Sequence, residues 1–250
     1  MTTLELRNLN KHFGGLYVSK NISMGIEHGE ITAIIGPNGA GKTTLFNQIT
    51  GYISPDTGGI FFNGAEITGA APEQLVKMGI VRAFQVASLF CDETVYDNIY
   101  LAALAYHGKN WNIFTNRKAY NDVDEQCRFI LDRLGLHGKE RLKAFELSHG
   151  DQKVLDIAIA LTMKPKLLLL DEPTAGMSPD ERVKMTHLIR AIHKEFMLTT
   201  IFVEHDMDMV FGIADFIRVL VQGELIAVGS AEEIQKNPAV IDAYLGHEVL

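Results

Sequence analysis

Leu4, Leu6 and Leu9, and again Ile22, Met24 and Ile26, alternate with polar residues. That spacing predicts that the chain opens with short, half-buried strands of antiparallel type. The apolar run Ile31 to Ile35 then reads as a strand, a glycine-rich stretch covers Gly36 to Thr43, and Thr44 to Thr50 has helical character. Ser54 to Gly59 predicts a turn, Ile60 to Phe62 a strand, and Asn63-Gly64 a hairpin connection. Pro72 starts a short helix that Gly79 ends, and Ile80 to Phe84 is another strand.

From Val86 to about Met163 strand signals give way to helical spacing. Thr94 with Asp97 opens a helix over Val95 to Ala105, and Val123, Cys127, Ile130, Leu131 and Leu134 line one face of a second helix closed by Gly135. Between them Tyr106 to Arg117 reads as a loop, whose Trp111 and Phe114 either pack on these helices or meet a partner. Ser148 caps a third helix carrying Val154, Leu155, Ile157, Ala158 and Leu161.

Strands return with Leu167 to Leu170, a continuous apolar run suited to a central parallel strand, and with Thr199 to Val203. Between these two, Ser178-Pro179-Asp180-Glu181 is a capping box that starts a helix through Met185, Leu188, Ile189, Ile192 and Phe196. Phe216 to Val221 and Leu225 to Gly229 form a hairpin through Gln222-Gly223; Ser230 with Glu233 then caps a helix, and Pro238 separates it from a last one near Tyr244. The alternation predicts one α/β domain over residues 1–250: a mainly parallel sheet, an antiparallel β subdomain, and a helical lobe inserted at 86–163 between core segments 1–85 and 164–250.

Composition narrows the partners. With 250 residues and 47% hydrophobic content the chain can build a sizeable core. A net charge of −8 and no polybasic run give no footprint for nucleic acid or anionic lipid. Cys91 and Cys127 form no CxxC pair, so free thiols in a reducing compartment are expected. The N-terminus lacks the order of a signal peptide, and no apolar run approaches the ~18 residues needed to cross a bilayer. Any work at a membrane is therefore expected without direct insertion.

Gly36-Pro37-Asn38-Gly39-Ala40-Gly41-Lys42-Thr43 is GxxxxGK[S/T] between a strand and a helix. The glycines let successive N–H groups approach an anion, and the helix adds its positive end. Lys42 would reach the β- and γ-phosphates, and the Thr43 hydroxyl would ligate Mg²⁺. Asp171, at the end of the leucine run, would hold that Mg²⁺, and Glu172 could polarise a water for attack on the γ-phosphate. Phe13 either stacks on a base or belongs to the core. Gln85 is either a strand-end contact or a loop residue in solvent, and His205 either touches a γ-phosphate or is structural. Ser148, taken alone, is only a helix cap.

As an ordered set, Phe13, the Gly36–Thr43 loop, Gln85, Leu147-Ser148-His149-Gly150-Asp151-Gln152-Lys153, the leucine run with Asp171-Glu172, and His205 resemble the ATP-binding subunit of ABC transporters over essentially the whole chain. The resemblance implies a P-loop NTPase core, with ATP and Mg²⁺ held by residues 36–43 together with Thr44, Gln85 and Asp171. It also implies adenine stacking by Phe13, a Mg²⁺-sensing Gln85 coupled to the membrane subunit, a water-activating Glu172, and His205 on the γ-phosphate. Ser148 and Gly150 would bind ATP held by a second, head-to-tail subunit, identical or a sister. Integral membrane subunits would be further partners, at the cytoplasmic face of the cell membrane.

Two departures stand out. His149 and Asp151 replace the usual glycine and glutamine of the signature, and Ala175-Gly176-Met177-Ser178-Pro179 lacks the usual dimer-contact aspartate. The Ala-Gly-Met-Ser-Pro run, the Leu147-Ser148-His149-Gly150 signature and the closing Ala-Tyr-Leu-Gly-His-Glu look like subunits that power uptake of branched-chain amino acids, with urea or amide uptake systems close behind. Export ATPases and soluble ABC-type ATPases share the nucleotide motifs.

Overall fold

The computed structural model describes residues 2–83, 89–108 and 121–245, with only the backbone of residues 244 and 245. The opening alternation forms two twelve-residue strands, β1 (Thr2–Phe13) and β2 (Leu16–Glu27), longer than the short strands expected. They pair antiparallel, with a register shift between Leu6 and Leu9. Asn8 takes a positive φ of 48° within that shift, so Leu9 returns to the buried face that holds Leu4 and Leu6.

After β3 (Ile31–Ile35) comes α1 (Lys42–Ile49), which starts two residues earlier than the sequence predicts. Strand β4 (Thr57–Phe62) takes in Thr57, Gly58 and Gly59, which the sequence assigns to a turn. Pairing overrides local preference there, since β4 lies against β1 with Arg7 opposite Gly59 and Asn10 opposite Thr57. Asn63 and Gly64, both at positive φ, connect β4 to β5 (Ala65–Glu66) as predicted. Next are α2 (Pro72–Met78) and β6 (Ile80–Ala83).

Three helices follow: α3 (Val95–Tyr106), capped by Thr94; α4 (Asn121–Arg133); and α5 (His149–Thr162), capped by Ser148. They pack on one another, with Val95, Ile99, Val123, Cys127, Ile130 and Leu155 fully buried between them. Neither Cys127 nor the exposed Cys91 is bridged. The chain then runs through β7 (Leu167–Asp171), α6 (Pro179–Glu195), β8 (Thr199–Val203), α7 (Met207–Ile213), β9 (Phe216–Val221), β10 (Glu224–Gly229), α8 (Ala231–Gln235) and α9 (Pro238–Leu245).

Two sheets result: an antiparallel one in the order β2-β1-β4-β5, and a six-stranded one in the order β10-β9-β3-β8-β7-β6. In the second, β10 alone runs antiparallel. The leucine run shows how a strand buried on both faces joins two cores. Leu168 and Leu170 enter the cluster shared with the helices, and Leu167 and Leu169 the cluster beneath the antiparallel sheet. Each such leucine contributes about 1.5–3 kcal/mol of apolar burial. Because β3, β6, β7, β8 and β9 are parallel, their carboxyl ends share one edge. Among the described residues no helix is long and apolar enough to cross a membrane.

Candidate functional site

The loop after β3 is built by close backbone approach. A Cβ on Gly36 would stand 1.9 Å from the Leu220 carbonyl oxygen, and one on Gly41 2.3 Å from that of Val18. Only glycine fits at either position. Gly41 caps α1 with no side-chain hydrogen bond, and the first turn of α1 has no acidic residue. Among the described residues no acceptor serves the N–H groups of Gly39, Gly41, Lys42, Thr43 or Thr44. Five donors and a helix N-terminus thus share one concave loop, suited to an anion.

Lys42 sharpens that reading. Its ammonium donates to the carbonyls of Gly36 (2.6 Å) and Pro37 (3.1 Å), inside its own loop. The residue is 8% exposed. Among the described residues no carboxylate lies within ion-pairing distance of it. Burial lowers its pKa, while the Glu172 and Asp171 carboxylates pull the other way. A buried cation held only by carbonyls has room for a terminal phosphate as its counter-charge.

Strand β7 brings Asp171 and Glu172 to the same edge. Asp171 is ion-paired with Arg82 of β6, which also donates to Asn47 Oδ1 of α1 at 2.6 Å. The Arg82 side chain is 4% exposed, and its Nε is buried without a partner among the described residues. Asp171, which the sequence expects to hold Mg²⁺, has one of its oxygens occupied by a guanidinium that sequence reasoning missed. The other oxygen and the Thr43 hydroxyl remain as hard donors of the kind Mg²⁺ accepts.

Glu172 has a φ of 50°, an uncommon left-handed conformation costing about 1–3 kcal/mol for a residue other than glycine. Its N–H donates to the Val203 carbonyl at 2.9 Å, and its Oε1 lies 3.3 Å from His205 Nε2. Both side chains are nearly half exposed, at 46% and 47%. Glu204, buried beneath them, ties the two strand ends together. Its Oε1 accepts from the Thr174 N–H and hydroxyl at 2.6 Å each, and its Oε2 from the His205 and Asp206 N–H groups at 2.9 and 3.3 Å. An acid-base pair at a strand edge, held by a buried carboxylate, can orient a water and take a proton from it.

The remaining predicted residues divide into three groups. Phe13 is 51% exposed at the end of β1, with Lys11 Nζ 5.5 Å from its ring centre, so it is not a core residue. Gln85, Trp111 and Phe114 lie outside the described residues. Ser148 and Gly150 start α5, and no hydrogen bond or ion pair among the described residues joins them to residues 36–44. Ser148 Oγ accepts the Asp151 N–H at 3.1 Å, and Asp151 pairs with Lys139 at 2.7 Å. Beside them Ser148, Gly150, Lys139, Glu181 and Lys184 line a hollow of about 430 Å³.

The ABC transporter family matches residues 19–175, and the branched-chain amino acid ATP-binding cassette transporter family matches residues 224–249. The chain is 38% identical, over 97% of each chain, to the high-affinity branched-chain amino acid transport ATP-binding protein LivG of Salmonella typhimurium. It is 36% identical to the corresponding protein BraF of Pseudomonas aeruginosa, over 97% of each chain. Among solved structures, it is 31% identical to the ADP conformation of an ATP-binding cassette of an ABC transporter, with a TM-score of 0.87 over 98% of this chain and 99% of that one.

Proposed function

We propose, from the premise that this chain belongs to the ABC transporter family and is one of its transport-coupled ATPases, that it powers uptake of branched-chain or related amino acids through integral membrane subunits. The convergence of Lys42, Asp171, Glu172 and His205 on one edge carries the ATPase reading. The match of residues 224–249 and the names of the relatives support the substrate class. The chain works at the cytoplasmic face of the cell membrane without inserting. Uptake of labelled leucine, isoleucine or valine by the native complex in vesicles tests this: uptake should follow ATP and cease with Glu172→Gln. Failure of all three to compete for the transported solute would remove the substrate class.

Residues 36–44 would hold ATP, with Lys42 on its terminal phosphates and Phe13 available for its base. Thr43, Asp171 and Gln85 would hold Mg²⁺, which supplies charge neutralisation and orientation of the β- and γ-phosphates when bound. Glu172 would accept a proton from the attacking water, and His205 would face the γ-phosphate and keep Glu172 aligned.

Because no hydrogen bond or ion pair among the described residues joins Ser148 and Gly150 to residues 36–44, the site is proposed to be completed by a second, head-to-tail subunit, identical or a sister. Lys42→Ala subunits mixed with Ser148→Arg subunits would leave one intact composite site per mixed dimer. Activity should partly recover. Mixed dimers that form and stay silent would overturn the arrangement.

The Lys139–Asp151 pair answers one departure noted in the sequence, since Lys139 offsets the charge Asp151 adds near an anion site. Lys139→Ala is expected to weaken ATP-dependent pairing several-fold, from an unfavourable contact of about 1 kcal/mol at a partly exposed position. Adding Asp151→Asn should restore it. Sedimentation at graded ATP concentrations checks both, and a normal single variant would clear the pair of this role.

A further inference from the structure

The helix that presents Ser148 and Gly150 also reaches the catalytic edge of its own chain. Lys153, five residues or about 7.5 Å further along α5, donates from Nζ to the Glu172 carbonyl at 2.8 Å. That carbonyl also accepts the Ala175 N–H at 3.2 Å, while the Glu172 N–H is fixed to Val203. The left-handed setting of Glu172 is therefore held from β8 on one side and from α5 on the other. Lys153 is half-buried, and burial lowers its pKa against the carboxylates of Glu204, Glu172 and Asp156.

Two further contacts join the start of α5 to the segment after Glu172. A Cβ on Gly176 would lie 3.2 Å from His149 Nε2, and one on Gly150 3.2 Å from Glu181 Oε1. His149 and Gly176 belong to the two stretches in which this chain departs from the family pattern, and they face each other. A larger residue at position 176 would push the imidazole away. The two departures thus fit together.

We propose that Lys153 is a positioning residue for Glu172, and that α5 passes the engagement of Ser148 and Gly150 by the second subunit's ATP to the placement of Glu172 in its own chain. This rests on the head-to-tail reading. It supplies a route between the two sites in a chain without the dimer-contact aspartate. The helix acts as a rod: a shift of its first turn moves Lys153, and Lys153 moves the carbonyl it holds.

The test compares Lys153→Met, Lys153→Gln and Lys153→Arg with wild type in the full chain, assayed with its second subunit. Nucleotide affinity is read by equilibrium titration, and turnover by phosphate release across ATP concentrations. Wild type should show a Hill coefficient above 1. Lys153→Met should keep its affinity, lose about tenfold in turnover and fall to a Hill coefficient near 1, Lys153→Gln should lie between, and Lys153→Arg should restore both. Should Lys153→Met lose nucleotide affinity through misfolding, Lys153→Gln, which keeps a donor and the stem, decides by the same criteria. A Hill coefficient of 1 in wild type, or one unchanged in the variants while turnover falls, would overturn the coupling. A separate control isolates the underlying reading: Ser148→Arg in a Glu172→Gln chain should abolish the ATP-dependent dimer on size exclusion. If that dimer persists, the head-to-tail site itself fails; if it disappears while Lys153→Met behaves as wild type, only the role of Lys153 fails.

Discussion

Glu172→Gln is expected to bind ATP with near-normal affinity while hydrolysing it about 10²–10⁴-fold more slowly, the usual contribution of a general base. Gln keeps the size of the side chain and its reach toward His205 Nε2, 3.3 Å away in the native chain, but loses charge and basicity. Asp171 is not expected to take over, since its carboxylate is engaged by Arg82. Because bound ATP would hold two phosphate loops against two opposing signatures, the variant should also stay dimeric in ATP and Mg²⁺ longer than wild type. Size-exclusion chromatography with ATP, run beside a phosphate-release assay, reads both effects. Near-normal turnover would move the base to His205; lost ATP binding would reassign Glu172 to the metal.

Lys42→Ala should lose ATP binding, and with it hydrolysis. Among the described residues the ammonium is the one side-chain cation placed inside the phosphate loop, and charge-assisted hydrogen bonds of this kind contribute about 1.5–3 kcal/mol each. Two of them to the terminal phosphates amount to roughly 10²–10⁴-fold in affinity. The sign for stability is different. In the empty chain Lys42 is a buried cation held by carbonyls, with its pKa lowered by burial, so its removal should leave the unfolding temperature unchanged or raised. Equilibrium nucleotide titration and thermal unfolding check the two signs separately. Normal affinity in a folded variant would end the assignment of Lys42.

The residues that the sequence made legible are those whose signal is local. The phosphate loop is eight consecutive positions, the capping boxes at Ser178–Glu181 and Ser230–Glu233 span four, and Leu167 to Leu170 declare a two-sided strand by being adjacent. The pairings that escaped notice work across the fold. Arg82 meets Asp171 89 residues on, Glu204 meets Thr174 across 30, and Lys153 meets Glu172 across 19. No periodicity links such pairs, and each residue taken alone passes for an ordinary polar position. Thr57 to Gly59 went wrong for the related reason that two glycines signal a turn locally, whereas strand β1 recruits them by pairing. Asp151 shows the intermediate case, in which the added charge could be read but its neutralisation by Lys139 could not.

The close packing around Gly36 and Gly41 has a consequence for the newborn chain. Their cradle is walled by the carbonyls of Val18 and Leu220, and it is pinned by the Gly223 N–H donating to Ala40 at 2.9 Å and the Lys20 N–H to Gly223 at 2.7 Å. During synthesis the motif is complete at residue 43, but its last wall does not exist until residue 223 has been added. At about 5–20 residues per second that is roughly 10–40 s later. Through that interval the glycines that later accept the tight fit confer only freedom, and the donors they should align stay dispersed. Competence to hold a nucleotide is thus one of the last properties the growing chain acquires, although its motif is among the first segments made.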